Sequence, residues 1–190
     1  FLNIYKYLNN NRALKNKLLP KILRYYFLEL VKKMPCPFLT DEKTCTIYEV
    51  RPLACRLFGY WSKEEYENNY KKVLKENRSN YKYFKKAYNI ILPDETINHK
   101  IKYCEKFISN KKISKSERQS MIDSIFSIES NFFMKGLISE EFLNTGLVSW
   151  FVYTIYDKKE SGELRLKIMR EYLNNNESNL LLKILKTHQV

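Results

Sequence analysis

Apolar side chains recur at helical spacing along most of the chain. Leu14, Leu18, Ile22, Tyr26 and Leu30 follow one another every four residues. That spacing lays one apolar stripe along a helix, or along a helix pair bending near Pro20. The element must stop before Pro35 and Pro37, because a residue ahead of proline is pushed out of the helical region. Ser62-Lys63-Glu64-Glu65 has the form of a capping box, in which the Ser hydroxyl and the Glu three places on satisfy two orphan amides. The helix it opens carries Tyr66, Tyr70, Val73 and Leu74 on one face, and Tyr81, Phe84 and Tyr88 make a second stripe up to Pro93. Asp94 then predicts a helix cap, with Ile97, Ile101, Cys104 and Ile108 on one inward stripe. A second box, Ser114 to Glu117, opens a helix through Met121, Ile125, Ile128 and Phe132 that ends near Gly136. Helices at about 139–156, 161–174 and 177–187 complete the series. The pattern predicts a mostly α, multi-helix single domain. Residues 1–112 hold a cysteine-rich region with its flanking helices, and 113–190 form a helical extension packed on it or open to a partner.

Residues 36–61 break the helical rhythm. Phe38-Leu39 and Thr46-Ile47-Tyr48 flank a polar segment at Asp41-Glu42-Lys43, which predicts a short β hairpin. Such a hairpin brings Cys36 and Cys45 together at its open end. Pro52 suits the first position of a short helical turn that carries Cys55 back toward the pair. An inward-facing Cys104 can close the set. The expected result is a small hairpin or loop knot holding a metal site on Cys36, Cys45, Cys55 and Cys104. Four thiolates complete a tetrahedral zinc site or hold one iron–sulfur cluster. None of these cysteines forms the short C-x2–4-C knuckle usual in zinc fingers, and long gaps suit a larger object, a 4Fe–4S cluster ahead of zinc. Buried apolar cysteines are the plainer alternative. Structural disulfides are another, but nothing in the chain points to an oxidising compartment.

Arg51 and Arg56 flank the third thiol. Either can offset the negative charge of thiolates, or tie loop carbonyls together and pair with Asp41, Glu42 or Glu49. Tyr48, Phe58 and Trp61 are expected to wall the site from water, and Pro52 to be architectural.

Composition narrows the classes further. At 190 residues the chain can bury a full core. Four Gly and five Pro leave little material for a turn-rich β sandwich or barrel. The formal charge of +13 lies wholly before Ile113, since residues 113–190 hold equal numbers of basic and acidic side chains. A Lys-, Asn-, Ile- and Tyr-rich composition accounts for such an excess. So does a surface that meets nucleic acid or an acidic protein, through lysine pairs such as Lys71-Lys72 and Lys85-Lys86 interleaved with tyrosines. No secretory signal is visible, and the most apolar stretch, 146–156, is about half of the roughly 20 residues a membrane span needs. It reads as a buried helix, and the expected location is the cytoplasm.

The string Cys36-Pro-Phe-Leu, followed by Cys45-Thr-Ile-Tyr-Glu-Val-Arg-Pro-Leu-Ala-Cys55-Arg-Leu-Phe, closely resembles the YkgJ-type cysteine-cluster family of zinc- or iron-chelating domains. The resemblance covers about 25 residues, with Cys104 matching a later family cysteine, and implies metal or cluster binding at these thiols. The family's earlier C-x-x-C-C-like group has no counterpart in residues 1–35, so either four thiols suffice or further ligands precede Phe1. A more distant resemblance runs to the flagellin lysine methylases, which implies iron–sulfur-dependent methyl transfer from S-adenosylmethionine as an alternative. A basic, zinc-stabilised adaptor for RNA or an acidic protein is a third. No catalytic residue stands out: there is no nucleophile with a recognisable base, no Gly-rich phosphate loop and no zincin helix. His99 is expected at the surface or at a helix end.

Overall fold

A computed structural model describes residues 1–103, 113–136 and 145–188. Over these residues the chain forms helices α1 (Leu2–Asn10), α2 (Arg12–Leu28), α3 (Leu53–Leu57), α4 (Lys63–Tyr88), α5 (Asp94–Ile97), α6 (Lys115–Met134), α7 (Leu147–Val152), α8 (Lys158–Asn175) and α9 (Asn179–Thr187). The mostly α expectation therefore holds. Among the described residues no helix is long and apolar enough to cross a membrane.

Leu18, Ile22 and Tyr26 of the four-residue stripe are buried, with Leu23 and Phe27 beside them. They face α7, α8 and α9, where Phe151, Val152, Ile168, Met169, Leu181 and Leu185 close the same core. Helix α2 runs straight through Pro20 as one element, although proline cannot donate to the preceding turn. The stretch read as a buried helix supplies α7 and its two buried residues, Phe151 and Val152. Helix α1 was not foreseen. It is held by Ile4 and Leu8, both buried, and by Phe1, whose ring stacks on Trp150 at 5.3 Å.

The Ser62–Glu65 box forms as read: Glu65 N–H donates to Ser62 Oγ (3.1 Å) and Ser62 N–H to Glu65 Oε2 (2.8 Å). The two stripes that follow the box lie on one helix, α4, which ends where Asn89 turns left-handed at φ 54°. The second box also forms, with Glu117 N–H donating to Ser114 Oγ at 3.2 Å. Gly136, at φ +67°, sits just beyond α6 in the conformation expected of a terminal glycine. Arg118 ties the start of α6 to α4 by donating from Nη2 to Glu65 Oε1 at 2.6 Å. Elsewhere α6 leaves Met121, Ile125, Phe126 and Ile128 exposed.

The helix expected from Asp94 is corrected. It is a single turn, α5, and Ile101 is 63 % exposed instead of lying on an inward stripe. Side chains of α4 capture the carbonyls that would have continued it. Asn77 Nδ2 donates to Ile97 O (3.0 Å), Tyr70 Oη to Asn98 O (3.3 Å) and Tyr66 Oη to Ile101 O. Cys104, which that stripe was to carry, lies outside the described residues.

Candidate metal centre

The loop between α2 and α3 is pinned from inside. Phe38 and Ile47 are buried, and the Phe38 ring lies 6.0 Å from that of Phe151. Between these two plugs the chain reverses tightly. Thr40 N–H donates to Thr44 O (2.9 Å), Thr46 N–H to Phe38 O (2.9 Å), and Lys43 takes φ 63°. The predicted hairpin is thus reduced to one antiparallel bridge, Leu39 with Cys45, and no strand is present among the described residues. A three-residue polar tip leaves too little extended chain for a longer ladder.

Pro52 sits one position earlier than expected, as the residue preceding α3, with an extended ψ of 152°. Helix α3 turns Leu57 inward. Cys55 lies two residues away, roughly on the opposite side of the helix, and is exposed. Cys36 is exposed as well and Cys45 is half-buried, packed against the edge of the core.

The three thiols share one electrostatic neighbourhood. Surrounding protein is the largest influence raising the pKa of Cys36. The Phe38 backbone lowers it, and negative charge on Cys55 and Cys45 raises it further. Burial likewise raises Cys55 most, Cys45 adds to this, and the Arg51 guanidinium opposes it. Both thiols keep solvent access, so the burial that shifts them is crowding on their protein side. They do not touch. Among the described residues, no three Cys, His, Asp or Glu side chains stand in a geometry that holds a metal ion. Among the described residues the thiols form an open constellation of three, and Cys104, expected to close it, lies outside them.

The two arginines have divided the roles foreseen for them. Arg56 binds carbonyls: Nε donates to Arg51 O at 3.1 Å and Nη2 to Glu49 O, which stitches the short 3₁₀ turn Tyr48–Val50 to α3. Arg51 supplies charge. Its guanidinium stacks over the Tyr48 ring, itself 60 % exposed, and its buried Nε has no hydrogen-bond partner among the described residues. Tyr48 therefore carries Arg51 on its ring and does not wall the thiols off. Phe58 and Trp61 meet with centroids 5.5 Å apart.

Residues 3–73 match the family model CxxCxxCC, described as a putative zinc- or iron-chelating domain. The cysteine-cluster resemblance is thus matched over the stretch that holds Cys36, Cys45 and Cys55. No curated protein and no solved structure matches the chain. The residues present fit such a metal in kind. Three soft thiols lie in one patch, a cation stands beside one of them, and an orphaned buried N–H belongs to that cation.

His99 lines a cavity between α2 and α4 that the sequence did not reveal. Tyr25 lines the same cavity, and its pKa is pushed up to about 12, by burial first, then by Glu29 and by Cys36. The thiol patch and the cavity are neighbours through Tyr25.

Proposed function

We propose that the chain is a metal-binding cysteine-cluster protein whose Cys36, Cys45 and Cys55 hold an iron–sulfur cluster, with Cys104 as the fourth thiolate. The observation that carries the reading is the nearness of three thiols, close enough for charge on Cys45 to act on both Cys36 and Cys55, inside the segment that matches a zinc- or iron-chelating family. Cluster size supports iron–sulfur over zinc. Four sulfurs at about 2.3 Å from one zinc ion lie within roughly 4 Å of one another. Thiols that sense one another's charge without converging suit a larger, multi-iron object. Arg51 would lower the proton affinity of Cys55 and offset part of the charge of the loaded site. Arg56 would hold the ligand-bearing turn in shape.

Anaerobic purification followed by iron, zinc and acid-labile sulfide analysis tests this. Iron and sulfide in equal amounts, with visible charge-transfer absorption, are expected. A colourless protein with one zinc and no sulfide would replace the cluster by zinc. A metal-free protein that takes up neither would overturn both.

A further inference from the structure

The cavity beside the thiols has a volume of about 370 Å³, within the range of small-molecule sites. Phe58, Trp61, Tyr66 and Tyr70 give it aromatic walls. The hydroxyls of Tyr66 and Tyr70 are already committed to the carbonyls of Ile101 and Asn98, so these residues offer rings and not donors. The acid in the lining is also answered, because Glu29 Oε1 accepts from Arg165 Nη2 at 2.8 Å. What remains unspent among the described residues is the exposed Lys33 ammonium and three neutral groups. Among the described residues His99 Nδ1 is buried without a hydrogen-bond partner, and the exposed Asn69 and Asn80 amides lie along the α4 side of the cavity.

Flat walls favour a flat ligand, since stacking rewards any π face. The buried ring nitrogen of His99 favours one with a donor or acceptor on its edge, because a hydrocarbon there would leave it unpaired. The side-chain amide of Asn presents a donor and an acceptor side by side, which complements a purine edge. A cationic ligand finds no unanswered acid here, because Glu29 is paired with Arg165. We propose that this cavity binds a purine base, carried as a nucleoside. This does not rest on the metal reading, since none of its groups is a thiol.

The test uses the full chain with Trp150→Phe, which leaves Trp61 as the sole indole reporter. Adenosine is titrated while Trp61 emission is followed, and indole, a flat ligand that lacks the purine edge but shares the fluorophore of Trp61, is titrated by calorimetry. Saturable quenching by adenosine is expected, with indole at least about tenfold weaker. Asn69→Ala and His99→Leu should each weaken adenosine by about tenfold, with the melting temperature unchanged. The proposal is overturned by no saturable response up to the solubility of adenosine, by indole binding equally well, or by both variants binding as the parent does. Repeating the titration after chelator treatment separates the two readings: unchanged affinity in a metal-stripped chain is expected.

Discussion

The guanidinium of Arg51 lies over the ring of Tyr48 with Cζ 4.0 Å from the centroid, and from that perch its charge reaches Cys55. A stacked cation of this kind is held in one place without being neutralised. An exposed contact of this type contributes about 0.5–1 kcal/mol, enough to bias where the charge sits.

Removing the charge should therefore be felt at one thiol more than at another. Arg51→Ala is expected to slow alkylation of Cys55 at pH 8 by about threefold, through a higher thiol pKa. Cys36 should be almost unaffected, because Arg51 is not among the groups that shift it. Mass spectrometry of a timed iodoacetamide reaction reads both sites at once. Equal slowing at the two would contradict the assignment.

Arg56 predicts a different outcome. Arg56→Ala removes both carbonyl ties and should cost about 1–3 kcal/mol in urea unfolding. Arg56→Lys should recover little, since an ammonium cannot reproduce the fork. A lysine variant as stable as the parent would show that charge alone suffices there.

Raised thiol pKa values give metal loading a pH dependence of known sign. Burial holds Cys36 and Cys55 protonated above the ordinary thiol range, so loading must release protons. Affinity for zinc or iron should rise steadily between pH 6 and about pH 9, and titration in weak buffer should acidify the solution. Cys36→Ser, Cys45→Ser and Cys55→Ser should each lower bound metal severalfold. Cys104→Ser isolates the fourth ligand: full metal content in that variant would remove it from the set.

Acid should loosen the joint between α4 and α6. The Ser62 backbone amide foremost, then Arg118, hold the Glu65 carboxyl below the usual carboxylate range. Its stabilisation is thus complete above that range and is lost as pH falls through the lowered value. Between pH 7 and pH 3, Glu65→Gln should show a shallower fall in melting temperature than the parent. Parallel curves would refute this.

Where one side of a segment meets the core, the sequence disclosed it. The Leu18, Ile22 and Tyr26 stripe is buried, and both capping boxes close their amides. The carbonyl-tying role of Arg56 was also among the readings open in sequence. What stayed hidden depends on partners distant along the chain. The polar run Asn77-Arg78-Ser79-Asn80 precedes the second stripe of Tyr81, Phe84 and Tyr88. It lies within α4, with Asn77 reaching across to Ile97 and its neighbours exposed. Ile101 carried the right spacing for a helix that α4 side chains prevent. Ile4 and Leu8, four residues apart, were too brief a signal to announce α1. Exposure of Cys36 and Cys55 follows from Phe38, Ile47 and Leu57 taking the inward places, a competition that spacing does not rank.

Because α2 and α7–α9 bury one another's apolar sides, the thiol-bearing loop borrows its foundation from the far end of the polypeptide. Phe38, the inner anchor of that loop, leans on Phe151. A fragment ending after residue 73 would keep every described cysteine and strip the cover from Leu18, Ile22 and Phe27. Such a fragment should be recovered as aggregate, and adding residues 145–188 as a separate peptide should restore its solubility.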